Sequence, residues 1–135
     1  MENKDKKIKI LLVEDDKFLL DMYTTKFGES GFEMTALPAA TDALTKIESG
    51  YIPEVILTDI IMPTMDGFEF LSELKKRGLA EGAKKIILSN LGQKEDIEKG
   101  TKLGASGYII KATSTPTETV MKVQEILENK GAPMV

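Results

Sequence analysis

Five short apolar runs set the strongest limit on what this chain can fold into: IKILLV at 8–13, FEMTAL at 32–37, EVILT at 54–58, KKIIL at 84–88 and GYII at 107–110. The first, third and fourth are almost unbroken in Ile, Leu and Val instead of alternating with polar residues. That pattern suits strands buried on both faces, the condition of a parallel sheet covered by helices on each side. The second run alternates more, as an edge strand would. Between the runs, apolar residues recur at helical spacing: Phe18, Leu19, Met22 and Tyr23 within 16–29; Ala40, Ala43, Leu44 and Ile47 within 39–49; Phe68, Leu71 and Leu74 within 66–77; Ile97 and Leu103 within 93–103; Val120, Val123 and Leu127 within 116–129. Five helices are predicted.

The punctuation agrees. Thr115-Pro116-Thr117-Glu118 reads as a capping box with proline at the first helical position, and Gly78, Gly104 and Gly131 stand as stop signals. Strand and helix thus alternate five times, which implies an α/β domain with a doubly wound parallel sheet and right-handed crossovers. A chain of 135 residues holds one such domain and no second. We expect it to span 8–130, between a flexible N-terminus at 1–7 and a C-terminal tail at 131–135.

Composition narrows the chemistry. The net charge of −4, with the lysines scattered, gives no electrostatic stripe for a phosphate backbone, so direct nucleic-acid binding is not expected. No apolar stretch reaches bilayer length, and the opening MENKDKKIKI lacks the apolar region of a secretory signal; no membrane association and a cytoplasmic location are expected. The chain has no cysteine, hence no disulfide, and no histidine, which excludes Ser-His or Cys-His catalysis and histidine-ligated metals. Any chemistry must use carboxylates, hydroxyls and lysines.

In open parallel sheets, reactive groups gather beyond the carboxyl ends of the strands. After the first run come Glu14, Asp15 and Asp16; after the third, Asp59; after the fourth, Ser89; after the fifth, Lys111. Singly each has an ordinary explanation, Asp16 as a helix cap, Ser89 as a turn hydroxyl, Lys111 as a solvated lysine. Together, at the matching ends of four strands, they form a set. Glu14, Asp15 and Asp59 would crowd carboxylates at a partly buried place, and an all-oxygen site of this kind suits Mg²⁺. Asp59, central among them, would act as a carboxylate nucleophile toward phosphorus, with the metal, Lys111 and Ser89 each taking a phosphoryl oxygen.

These residues resemble the receiver domain of two-component response regulators, of the single-domain, chemotaxis-regulator-like type. The likeness runs from about Ile8 to Leu127 through ILLVEDD, ILTDIIMPTMDGFEFL, IILSN and GASGYIIKA. It implies a flavodoxin-like sheet of order 2-1-3-4-5 flanked by five helices, with Asp59 as phosphoacceptor. Asp15 would bind Mg²⁺ directly, Glu14 largely through water, and the Ile61 carbonyl would add a ligand. Ser89 would be the switch hydroxyl, Lys111 the phosphate-binding lysine, and Tyr108 the aromatic that changes rotamer with Ser89. The partners implied are a histidine kinase or histidine phosphotransfer protein as donor, and a protein target on the face of the fourth helix, fifth strand and fifth helix. A phosphorylation-dependent homodimer stays open.

Two positions depart from the family. Ala112 follows Lys111 where a proline in a cis bond is usual, and a cis bond before a non-proline residue costs roughly 2.5–4 kcal/mol. Asn90 follows Ser89 where a small residue is common, and would either hydrogen-bond the phosphoryl group or crowd its entrance. Ile61 and Leu91, two beyond Asp59 and Ser89, are both bulky and apolar and are expected to hinder water attack on a phosphorylated form. With no residues left for an effector domain, the output is expected to be a binding event. Gly100, inside the fourth helix, either weakens it as a switch element or permits close packing. A haloacid-dehalogenase-type phosphatase would need Asp where Ile61 stands, and three carboxylates would repel the phosphate of FMN. A degenerate receiver that binds partners without phosphorylation is the remaining alternative.

Overall fold

A computed structural model describes residues 6–128. The elements run β1 (Lys9–Val13), α1 (Lys17–Glu29), β2 (Glu33–Leu37), α2 (Ala40–Glu48), β3 (Val55–Thr58), α3 (Gly67–Arg77), β4 (Lys84–Ser89), α4 (Lys94–Lys102), β5 (Ala105–Ile110), a 3₁₀ turn (Lys111–Thr113) and α5 (Pro116–Glu128). All strand pairs are parallel, in the order β2-β1-β3-β4-β5. The expected doubly wound sheet is therefore present. Gly131 and the tail at 131–135 lie outside the described residues.

The unbroken apolar runs have a simple cause. Ile10 and Leu12 of β1 face a core filled by Tyr23 and Phe27 of α1 and by Val120, Val123 and Ile126 of α5. Leu11 and Val13, alternating with them, face a second core built with Leu44 and Ile47 of α2 and Phe70, Leu71 and Leu74 of α3. Each fully buried Leu or Ile adds about 1.5–3 kcal/mol over leaving it in water, so both faces must be apolar. β2, at the edge, contains no fully buried residue.

Phe18 corrects one expectation. It is 75% exposed, because the buried stripe of α1 runs Leu19, Tyr23, Phe27 at intervals of four, and Phe18 lies one residue, about 100° of helix rotation, off that stripe. β5 also starts two residues earlier than expected, at Ala105, since its opening Ala-Ser-Gly carries no strong strand-forming side chain.

The helix starts follow their caps. The Asp16 side chain accepts from the Leu19 amide at 3.0 Å, as expected for the cap of α1. The Thr115–Glu118 box is formed reciprocally, the Thr115 amide donating to Glu118 at 2.8 Å and the Glu118 amide to Thr115 Oγ1 at 3.1 Å. Asp66 and Glu69 build a second such box at α3.

In α4 the buried set is Gly100 alone. A Cβ built there would stand 2.5 Å from Ile87 Cδ1 and 3.6 Å from the Tyr108 ring, so the glycine lets the helix lie directly on β4 and β5. Close packing is the role the geometry supports. Gly100→Ala is accordingly expected to destabilise by about 1–3 kcal/mol through overpacking, despite alanine's better helix propensity, as measured by urea unfolding.

Candidate functional site

β1 and β3 are adjacent, with Val13 paired to Thr58, so the residues that follow them emerge side by side. Glu14 (2% exposed) and Asp59 (8% exposed) sit buried at this edge, and Asp15 stands exposed at its mouth. One carboxylate oxygen from each lies within 4.8 Å of the other two. The 3₁₀ turn after β5 turns Lys111 back over them. Its Nζ donates to Glu14 Oε1 at 2.5 Å and to Asp59 Oδ2 at 2.7 Å.

Asp59 is held from several directions. Its Oδ1 accepts the Ile60 amide at 2.6 Å, and its backbone carbonyl accepts the Thr58 hydroxyl at 2.8 Å. Gly67, at the start of α3, presses against that same carbonyl: a Cβ on Gly67 would overlap the oxygen, while its amide donates to the Ile60 carbonyl at 2.8 Å. The requirement for glycine here is steric, and it ties the first turn of α3 to Asp59. Between them, Thr64 takes a φ of 71°, a left-handed conformation that a β-branched residue adopts at a cost of order 1–3 kcal/mol.

The electrostatics are those of a crowded acidic pocket. Burial pushes the Glu14 carboxyl above its ordinary value, partly offset by its hydrogen bonds from Lys111 and the Asp16 amide. Burial alone would depress the Lys111 ammonium, but Asp59 and Glu14 outweigh it and hold its pKa above the usual lysine value. Three carboxylates against one ammonium leave a surplus of two negative charges. The donor set is all oxygen, and each carboxylate oxygen of Glu14 and Asp59 accepts one hydrogen bond and keeps a lone pair beyond it, so a hard divalent cation such as Mg²⁺ fits.

Ser89, the last residue of β4, is buried and is not hydrogen-bonded to Asp59 or Lys111 among the described residues; its Oγ accepts the Leu91 amide at 3.3 Å. The Leu91 carbonyl in turn accepts the Tyr108 hydroxyl. Tyr108 is turned fully inward, and burial, with the charges of Asp96 and Asp59, pushes its phenol up to about 12. Ile61 is 64% exposed, Leu91 half-buried against the core and Asn90 exposed. The described peptide bonds are all trans, so the Lys111–Ala112 bond carries none of the cis cost weighed above, and the trans turn still delivers Lys111 to Asp59.

The sequence placed Glu14, Asp15, Asp59 and Lys111 together. It missed that Glu14 is a partner of the lysine as much as a metal carboxylate. It also missed Gly67 and Thr58, although Asp66-Gly67 was visible as a turn signal within the quoted motif.

Comparisons with known proteins converge on one family. The family model for the response regulator receiver domain matches residues 10–124. The chemotaxis protein CheY of Halobacterium salinarum is 32% identical over 108 residues, covering 80% of this chain and 88% of the relative. The phosphate regulon transcriptional regulatory protein PhoB of Escherichia coli is 27% identical over 119 residues, but this chain spans only 51% of its length. Among solved structures, a CheY-like receiver domain protein from Methanospirillum hungatei superposes with a TM-score of 0.80 at 31% identity, covering 91% of this chain and 95% of that one. The BeF3-activated receiver domain of DrrB from Thermotoga maritima does so at 0.77 and 25%, covering 92% and 100%. With its sheet order, its acidic pocket and this breadth of likeness, the chain belongs to the response regulator receiver domain family.

Proposed function

We propose that this chain is a single-domain response regulator that accepts a phosphoryl group on Asp59 from a phosphohistidine donor and signals through its protein-binding face. The observation that carries the reading is the Lys111 ammonium bridging Asp59 and Glu14 beside Asp15. An Asp59 oxygen attacks phosphorus, the P–N bond of the donor's phosphohistidine breaks, and the imidazole leaves, giving an acyl phosphate on Asp59. Glu14, Asp15, Asp59 and the Ile61 carbonyl would hold Mg²⁺, which supplies positive charge for the phosphoryl oxygens when bound. Lys111, already hydrogen-bonded to Asp59, follows the added charge to a second oxygen, and the Ser89 hydroxyl takes a third.

Movement of Ser89 has a ready path outward. Its Oγ holds the Leu91 amide, and Leu91's carbonyl holds Tyr108, so drawing Ser89 toward Asp59 pulls on the start of α4 and on the Tyr108 bond. The face of α4, β5 and α5 is the surface this would change, and it is where a downstream protein would dock. The donor would be a histidine kinase or histidine phosphotransfer protein in the cytoplasm; among the described residues no helix is long and apolar enough to cross a membrane. A degenerate receiver is the rival reading, and the delivery of Lys111 to Asp59 through a trans turn weighs against it.

Three outcomes follow. Incubation with Mg²⁺ and acetyl phosphate should add one phosphoryl group by mass spectrometry, and Asp59→Asn should abolish it; an unmodified wild type would favour the degenerate reading. Replacing Ile61 by Asn and Leu91 by Glu should speed phosphate loss on the order of tenfold, about 1.4 kcal/mol off the barrier, because two apolar groups that exclude water are removed; equal rates would refute the shielding role. Ultraviolet titration should show a tyrosine ionising near 12 that Tyr108→Phe removes. An unfolded chain loses that proton near 10, so the stability tied to it is intact below 10 and lost as pH climbs from 10 through 12.

A further inference from the structure

β3 reads VILT, three apolar residues and then a threonine at the position just before Asp59. Packing alone does not ask for a hydroxyl there. Thr58 is fully buried, and its register partners on either side are Val13 of β1 and Ile87 of β4, both members of the apolar core that α2 and α3 cover. Valine has nearly the same branched shape and would continue the run. A hydroxyl taken out of water costs free energy unless a hydrogen bond compensates it. The compensating bond goes to the Asp59 carbonyl, at 2.8 Å.

That carbonyl belongs to the peptide unit joining Asp59 to Ile60, and the amide of the same unit donates to Asp59 Oδ1 at 2.6 Å. A peptide unit is planar, so its oxygen and its N–H turn together. Fixing the carbonyl therefore fixes where the N–H points, and with it the place of Oδ1. Oδ2 is left to Lys111, which donates to it at 2.7 Å. Gly67 bounds the carbonyl from the α3 side, where a Cβ would overlap the oxygen. A steric wall says only where the oxygen cannot go; the hydroxyl gives it a direction.

We propose that Thr58 is a positioning residue for phosphoryl transfer: its hydroxyl sets the tilt of the Asp59–Ile60 peptide unit, and that unit holds the Asp59 carboxylate in the orientation that meets phosphorus. The proposal rests on the function proposed above. Thr58 is fully buried and has no access to a donor, so it acts through Asp59. The step it serves is the one in which an Asp59 oxygen bonds to phosphorus while the donor's P–N bond breaks and its electron pair leaves with the imidazole. Without the hydroxyl the peptide unit is free to tilt, the hold on Oδ1 loosens, and the carboxylate is turned for attack less of the time. A neutral hydrogen bond of ordinary net worth corresponds to about a three- to tenfold effect on rate.

The test compares Thr58→Val, which removes the hydroxyl, with Thr58→Ser, which keeps it, in the full chain and at a temperature where circular dichroism shows both fully folded. A hydrogen bond to a carboxylate draws an amide proton downfield. By nuclear magnetic resonance, without Mg²⁺ or phosphodonor, the Ile60 amide proton should lose that displacement in Thr58→Val and keep it in Thr58→Ser. With acetyl phosphate in saturating Mg²⁺, where the bond from phosphorus to the acetate oxygen breaks instead, Thr58→Val should be phosphorylated about three- to tenfold more slowly than wild type, and Thr58→Ser at the wild-type rate. An unmoved Ile60 proton or an unchanged rate in Thr58→Val, or an equal slowing in Thr58→Ser, overturns the positioning role alone. A wild type that takes no phosphoryl group overturns the phosphoacceptor reading, and the role of Thr58 in transfer with it, even where the Ile60 proton moves as expected.

Discussion

The buried bridge from Lys111 to Glu14 and Asp59 is the interaction on which the rest of the site depends. Two carboxylates this far out of water would be costly if both stayed charged without a cation, and like charges side by side add to that cost. Lys111 settles the matter with one ammonium in two short hydrogen bonds. Because it neutralises only part of the local charge, the pocket stays electronegative and receptive to a dication. A more complete set of positive side chains would have made the pocket quieter and also inert.

Much of the architecture was legible because burial on both faces writes itself into composition. Runs such as ILLV in β1 and VIL in β3, short and bounded by polar residues, suit sheet interior, and the polar residues that follow them then lie at the strand ends. The legible part of the site was what strand ends alone determine: Glu14, Asp15, Asp59 and Lys111 share one edge whatever their rotamers. The illegible part depends on side chains meeting across elements. The contact of Gly67 with the Asp59 carbonyl needs the path of the β3–α3 loop, the Lys99–Phe68 contact needs the lateral offset of two helices, and the exposure of Phe18 turns on one residue of helical phase. None of these leaves a periodic trace.

The two faces of the sheet also divide the labour. On the side of α1 and α5, Phe27, Val123 and Ile126 make a dense apolar contact with β1, β3, β4 and β5. On the other side α2 and α3 are equally well seated, but α4 rests through a glycine. The distribution of large side chains thus surrounds the carboxylates with a densely packed frame and leaves α4 the helix with the least side-chain burial. Tyr108 joins the two regimes, its ring in the core and its hydroxyl on the β4–α4 connection.

Glu14 and Lys111 are 97 residues apart in the chain, and Asp59 comes from a strand between them. A pocket assembled from such distant pieces has a high contact order, and it comes into being only when the final strand docks on the sheet edge. During synthesis, a nascent chain that has made β1 through β4 already displays its aspartates but has no ammonium to draw them together. The pocket's geometry is thereby a certificate of complete folding, absent from every partly made molecule.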